Sequence, residues 1–371
     1  MTIAGSSTPR ALGFRMPAEW EPHEATWLGW PHEATDWPGK FAAIPWAFSE
    51  IVRHLARVER VFLLVETRAT KRRVRSMLEK SGASVDAVEF LIIPTDRGWM
   101  RDSGPICVCN ESGEVAFNHF KFNGWAKYSN HKKDAAVVAR ANENCRRLWQ
   151  PQHKGRRVVL EGGSIDVNGC GTLLTTEECL LSKVQERNPG LTKEDYARVF
   201  LEYLGVSNVL WLKSGIAGDD THGHVDDLTR FVNPTTVVTI VETDSKDVNY
   251  APLQENLALL KTMKDQDGKP LQVETLPMPE PLFFDDFRLP ASYANFYIAN
   301  RLVLVPTFND SNDRVALNTL ARLFPDRQVV GIPCRDLVLG LGTIHCMTQQ
   351  QPSTRSGYES SADKASRSTL R

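Results

Sequence analysis

Five short polar stretches of this 371-residue chain hold the side chains best suited to chemistry, and each falls just before a strand–turn–strand pattern. They are Arg101-Asp102-Ser103-Gly104-Pro105, Glu161-Gly162-Gly163, His222-Gly223-His224-Val225-Asp226, Asn295, and Gly342-Thr343-Ile344-His345-Cys346. A thiol, an imidazole and several carboxylates form a set that can attack a substrate, deliver a proton and hydrolyse an adduct unaided by a metal. Taken singly, each member has a plainer reading. A lone Cys346 is a small buried hydrophobe, and a lone His224 is a hydrogen-bonded structural histidine. His222 and His224, with Cys107 and Cys109, raise the idea of a metal. Yet His-x-His puts both rings on one face of a strand, is common by chance, and has no zinc-type Cys-x-x-Cys beside it here, so no metal is expected. Glu161-Gly162-Gly163 taken alone is a tight turn. Gly340 and Gly342 lack the Lys and following helix of a phosphate loop, and Lys71-Arg72-Arg73 reads as a solvated helix face. What sets the five stretches apart is their recurrence at one point of a repeating pattern.

The elements that must position them follow from periodicity. Trp46 to Glu59 has apolar residues at helical spacing and leads into a buried-type strand, Val61 to Val65; a second helix, Arg68 to Lys80, precedes a strand at Val88 to Ile93. Asn168-Gly169 between Ser164–Val167 and Gly171–Leu174 is a strong hairpin signal. Similar patterns centre near Glu111, Asn233-Pro234 and Asn300, roughly 55–65 residues apart. Each is followed by a helix (Ala136–Leu148, Thr192–Leu204, Leu253–Lys264, Asp313–Phe324) and then a short apolar strand (Val158–Leu160, Val209–Leu212, Leu271–Leu276, Val329–Ile332). The unit is ββαβ. Arranged radially, such units bury their faces against neighbours and bring the five polar stretches to one end of an axis. Separate βαβ units in one open sheet are the competing architecture.

Composition narrows the class. With 42% hydrophobic and 24% charged residues, the chain reads as a soluble globular enzyme. A net charge of -1 gives no reason to expect nucleic acid or an anionic membrane as partner. No apolar run is long enough for a membrane span, no secretory h-region opens the chain, and seven scattered cysteines do not form a disulfide framework, so a cytoplasmic location is expected. Residues 353–371 are rich in Ser, Arg and Lys and read as a disordered tail to a single domain spanning 1–352.

Six stretches together resemble the family of agmatine deiminases and bacterial-type peptidylarginine deiminases, within the guanidine-modifying superfamily. They are Met16-Pro17-Ala18-Glu19-Trp20-Glu21-Pro22-His23, Trp99-Met100 running into Arg101–Pro105, Glu161–Gly163, Gly223–Asp226, Ser292-Tyr293-Ala294-Asn295-Phe296, and Ile344-His345-Cys346 running on to Pro352. The resemblance implies a five-bladed α/β propeller with pseudo-fivefold symmetry, in agreement with the repeat. It also implies that Cys346 is the nucleophile, His224 the general acid and base, Glu161 the partner of that histidine, and Asp102 and Asp226 the carboxylates gripping a guanidinium, with Trp99 in the substrate wall. Asn295 is expected near the substrate. Asp219 and Asp220 are candidates to meet an amine at the far end of agmatine, their plainer reading being solvated loop carboxylates. His222 and Thr343 stand where agmatine deiminases commonly carry Asp or Asn and Asn respectively. Both departures bear on the choice of substrate.

Guanidinium is planar, charged and weakly electrophilic, so opposed carboxylates are needed to fix its plane and localise its charge, and a thiolate is a fitting nucleophile. The implied reaction is hydrolysis of agmatine to N-carbamoylputrescine and ammonia through an amidino-cysteine, with no cofactor. Other readings are a deiminase of arginine, peptidyl-arginine or a smaller guanidino amine, an amidino-group transferase, a non-enzymatic guanidine binder and a metal-dependent hydrolase. The partner expected is a small guanidine, and a homodimer is the assembly considered.

Overall fold

The structure, a computed structural model, describes residues 7–142 and 146–353. Of the expected tail, 353–371, all but Ser353 lies outside the described residues.

The chain is α/β, and the ββαβ order recurs as expected. Three sheets share one plan of an antiparallel hairpin, a helix and a strand parallel to the hairpin's second arm. They are Asp166–Val167, Thr172–Thr176 and Asn208–Leu212; Thr229–Asn233, Thr236–Val241 and Gln272–Pro277; and Tyr297–Ala299, Leu302–Thr307 and Gln328–Pro333. A fourth, Ile106–Cys109, Val115–Asn118 and Leu148–Trp149, follows the same plan. The fifth joins the two ends of the described chain. Thr348–Pro352 pairs antiparallel with His23–Gly29, which runs parallel to Arg60–Val65, itself parallel to Val88–Ile92. Separate small sheets rule out the single open sheet.

Two expectations fail in the sheet of Ile106–Cys109. Its last strand is Leu148–Trp149, whereas Val158–Leu160 forms only an isolated bridge, Lys121 to Val159. The helix expected over Ala136–Leu148 is the five-residue Val137–Ala141. Val158, Val159 and Leu160 are buried all the same, so an apolar run there reflects burial and not ladder pairing.

Local sequence explains the better-placed elements. Thr192 and Asp195 exchange side-chain-to-backbone bonds as a capping box, and Gly205, at φ 70, ends the helix Lys193–Leu204 in the left-handed region. Helix Ile44–Leu55 buries Ile44, Phe48, Ile51, Val52 and Leu55 along one stripe, each worth about 1.5–3 kcal/mol. Strand alternation then ties neighbouring sheets together. Ile106, Val108 and Ala116 are buried with Ile165, Val167 and Leu173 of the next sheet, while Cys107 and Phe117 are buried with Ala25, Trp27 and Phe62 of the previous one. A larger core joins Leu174 and Leu212, Phe231 and Val237, Val303 and Tyr297, and Leu28 and Leu63, linking the remaining sheets in chain order and back to the first.

Candidate active site

Cys346 lies on a four-residue helical turn, Ile344–Met347, immediately before the strand Thr348–Pro352. It borders a cavity of about 880 Å³. Asn295 secures the turn: its Oδ1 accepts from Thr343 Oγ1 at 2.7 Å and from the His345 amide at 3.0 Å. Its Nδ2 donates to Cys346 Sγ at 3.1 Å and to Asp227 Oδ1 at 3.0 Å. Burial, with the Asp226, Asp227 and Asp102 carboxylates, pushes the thiol well above its ordinary value against that Asn295 bond. The thiol itself reaches Asp226 Oδ2 at 3.8 Å.

Asp226 and Asp227 occupy the helical turn Val225–Asp227, just before the strand Thr229–Asn233. Both are buried, yet their protonation differs. Asp226 is held below the usual range: burial opposes this, but His345, His224 and Arg230 prevail. Asp227 is driven well above it by burial and the charge of Asp226. His345 bridges Asp226 Oδ2 at 2.7 Å to Glu19 Oε2 at 2.8 Å. Glu19 also pairs with Arg101 at 3.1 Å and Arg230 at 3.0 Å, and Arg230 continues to Asp166 at 3.0 Å. Linked hydrogen bonds and ion pairs of this kind hold their members in place, although Asp226 Oδ1 is left without a hydrogen bond.

His224 has no such anchorage. Neither ring nitrogen makes a hydrogen bond; Nδ1 is 3.8 Å from Asp102 and 3.9 Å from Asp226, and Nε2 is 3.7 Å from Glu161. Burial disfavours the imidazolium, but Asp102, Cys179 and Glu161 outweigh it and hold the ring well above its ordinary value. Glu161 is kept at about 2: burial would raise it, but Arg187, bonded at 3.1 Å, and His224 dominate. Asp102 rises to about 6 through burial and the neighbouring Asp226 and Glu161, opposed by His224. It accepts from Trp125 Nε1 at 2.8 Å and the Gly163 amide at 3.1 Å. Only glycine fits at 163. A Cβ there would meet His224 Nδ1 at 2.5 Å and a carboxylate oxygen of both Asp102 and Asp226 at 3.0 Å.

Of the residues singled out by sequence, Cys346, Asp102, Trp99 and Asp220 line the cavity. His224, Glu161, Asp226 and Asn295 are buried and absent from its lining. Asn295, expected near the substrate, here holds the Cys346 turn and touches its thiol. Asp219 is also displaced from its expected place, since it caps its own loop through the amides of Thr221, Gly223 and His224. His222 is not in a strand with His224. Its φ is 63, and it faces Ser182 and Glu178.

Sequence reasoning missed Asp36, Trp125 and Tyr128 in the cavity wall, and Arg187, Asp227 and His345 behind it. Glu19 and His345 lay inside the recognised stretches without a role. Arg187 lay in none, and only its distant partner Glu161 marks it. Among the described residues, two groups offer metal-capable atoms within 4.8 Å, Glu161–Cys179–His224 and Asp226–Asp227–Cys346. The first already has the Arg187 cation on its carboxylate, and the second includes a carboxyl whose value favours the proton. Neither donor set suits a divalent ion.

Residues 15–352 match the family described as Porphyromonas-type peptidyl-arginine deiminase. An agmatine deiminase of Pseudomonas aeruginosa (strain LESB58) is 37% identical over 375 residues, covering 94% of this chain and 98% of that protein. Among solved structures, the agmatine deiminase of Enterococcus faecalis superposes with a TM-score of 0.85 at 33% identity, covering 95% of this chain and 99% of the other. That of C. jejuni superposes with a TM-score of 0.76 at 29% identity, covering 91% and 96%. The chain belongs to the family of agmatine deiminases and Porphyromonas-type peptidyl-arginine deiminases.

Proposed function

We propose that the protein is an agmatine deiminase, a hydrolase that converts agmatine and water to N-carbamoylputrescine and ammonia. The observation that carries this reading is the charge of the cavity opening onto Cys346. Its lining includes Asp36, Asp102, Asp220, Asp285 and Asp286. The cation in that lining, Arg97, is already paired with Asp36 and stacked on Tyr128. Lys127 likewise pairs with Asp220. The unpaired Asp285 and Asp286 therefore best suit the ammonium of a dication whose guanidinium lies at Asp102. Among the described residues the lining offers no unpaired cation for the α-carboxylate of free arginine.

In this mechanism Asp102 and Asp226 hold the guanidinium, and its charge promotes loss of the Cys346 thiol proton to solvent, His224 being already protonated. The thiolate adds to the central carbon. His224 delivers a proton to one nitrogen, which leaves as ammonia, and an amidino-thioether remains on Cys346. His224 then takes a proton from water, which adds to the same carbon; the C–S bond breaks and the ureido product leaves. Glu161, fixed by Arg187 with an oxygen 3.7 Å from Nε2, favours the protonated imidazole and orients it once that gap closes in the substrate complex. Trp99 walls the substrate, and no cofactor or metal takes part.

The supporting frame is a five-bladed α/β propeller formed by a single domain over 1–352. Five similar sheets, each buried against its neighbour in chain order and back to the first, favour that arrangement. The reading extends to a cytoplasmic enzyme of polyamine biosynthesis on the route to putrescine, acting on a small molecule without nucleic acid or membrane, as a monomer or homodimer. Among the described residues no helix is long and apolar enough to cross a membrane. The test is a substrate panel of agmatine, arginine, a peptidyl-arginine and butylguanidine, scored by ureido formation. Agmatine should lead in kcat/KM; faster turnover of arginine or the peptide would overturn the assignment.

A further inference from the structure

A second cleft, of about 540 Å³, lies apart from the catalytic cavity and shares no lining residue with it. One side is the hairpin Gln152–His153 to Arg156–Arg157; the other is the segment 187–191. Lys154 and Gly155 form the hairpin's two-residue turn with φ of 49 and 75, the left-handed geometry that reverses a twisted ribbon tightly. This places Arg156 and Arg157 at the cleft, beside Lys121.

The ionisable lining is basic throughout: Lys121, His153, Lys154, Arg156, Arg157 and Arg187, with no acidic residue among them. Their neutralisation is uneven. Arg187 is fully buried and engaged by Glu161, whereas His153 and Lys154 share Asp195 at 2.9 and 2.8 Å. Lys121, Arg156 and Arg157 have no ion-pair partner among the described residues. Arg157 is the most telling. It is half-buried, its Nε is buried without a hydrogen bond, and its terminal nitrogen has only the His119 carbonyl. Burial alone lowers its affinity for the proton, with no carboxylate in compensation. An uncompensated cation in a concave site is costly to the free protein and is relieved by an anion. Guanidinium groups match phosphate oxygens in a forked geometry. Val158, Val159, Pro189 and Leu191 add an apolar wall, and the volume falls within the range of small-molecule sites.

We propose that this cleft binds a small phosphate ester of nucleotide size, with the phosphates on Arg156, Arg157 and Lys121 and the organic body on the apolar wall. The dicationic substrate is repelled from it, so the two sites take ligands of opposite charge.

Isothermal titration calorimetry of the full chain at physiological ionic strength tests this with three probes: ADP, inorganic phosphate and adenosine. ADP should bind one to one, inorganic phosphate about tenfold more weakly, and adenosine not measurably. Arg156→Gln and Arg157→Gln should each weaken ADP binding by about tenfold while leaving agmatine turnover unchanged, which certifies the fold. Arg156 is exposed, so its variant carries the test even if Arg157→Gln folds poorly. Absence of ADP binding, or binding indifferent to Arg156→Gln, would overturn the site. Inorganic phosphate binding as tightly as ADP would overturn the ester assignment.

Discussion

The thiol of Cys346 points at Asp226, with Sγ 3.8 Å from Oδ2, so the proposed nucleophile faces a carboxylate that stays ionised. Together with Asp227 and Asp102, that charge holds the free thiol in its protonated form at neutral pH. A bound guanidinium reverses the local field. Thiolate absorbance, with Cys346→Ser as blank, should therefore be absent in the free protein at neutral pH and rise when a cationic guanidine is added. A thiolate signal already complete without ligand would contradict substrate-assisted ionisation.

Cys346→Ser should abolish turnover by at least about three orders of magnitude with the fold intact, because an alkoxide is far less available than a thiolate. Mass spectrometry of quenched wild-type reactions should find the amidino group on Cys346. Exposed Cys170 should tolerate Ser with full activity, whereas Cys334→Ser, in the core, should cost stability only. More than a few per cent of residual rate in Cys346→Ser would rule out the nucleophile assignment.

Asp102→Asn separates function from stability. Its carboxyl moves from the usual 3.8 to about 6 in the folded protein. A raised value favours the folded state at low pH, and that contribution is lost as pH rises through about 6. At neutral pH the ionised side chain is a net cost, which Asn removes. We expect kcat/KM on agmatine to fall by orders of magnitude while the melting temperature holds or rises. A large drop in melting temperature would show that Asp102 serves the fold.

Arg187→Met leaves Glu161 buried without its cation and should destabilise the protein by about 3–5 kcal/mol. The sign of the pH dependence follows from Glu161, depressed from 4.5 to about 2. Its stabilising contribution is full above pH 4.5 and is lost as pH falls toward 2. Urea titrations should therefore show the gap between wild type and variant narrowing over that window. A gap independent of pH would mean the pair is not the source.

At the cavity mouth, Asp285 and Asp286 lie at the tip of the hairpin joining Phe283–Phe284 to Phe287–Arg288 and have no ion-pair partner among the described residues. Replacing both by Asn should raise KM for agmatine about threefold to tenfold, leave kcat unchanged, and leave butylguanidine unaffected. The effect should fade at high salt. Equal losses on both substrates would remove the charge argument.

The sequence made the hairpins legible wherever turn chemistry is local. Asn168-Gly169 is a self-contained signal, and its hairpin formed where expected, as did the helix read from Thr192 to Leu204. Val158–Leu160 was misread because burial, not ladder pairing, gives that run its apolar character. In the site, residues carrying a distinctive motif were legible as candidates, and Cys346, Asp102, Trp99 and Asp220 do line one cavity, but the residues that support them were not legible. Arg187 meets Glu161 across 26 positions and Glu19 meets His345 across 326, so no periodicity links either pair. Asp219 and Asp220 are adjacent and alike; only the loop's own hydrogen bonds decide which turns to the cavity.

The pairing of Thr348–Pro352 with His23–Gly29 has a consequence for synthesis. Cys346 leaves the ribosome after every other sheet strand but the one it introduces, and that strand finds its partner near the opposite end of the chain. The earlier units can therefore assemble around a cavity that still lacks its thiol. On the proposed mechanism, the nucleophile joins the carboxylates proposed to hold substrate only as the two ends of the described fold come together.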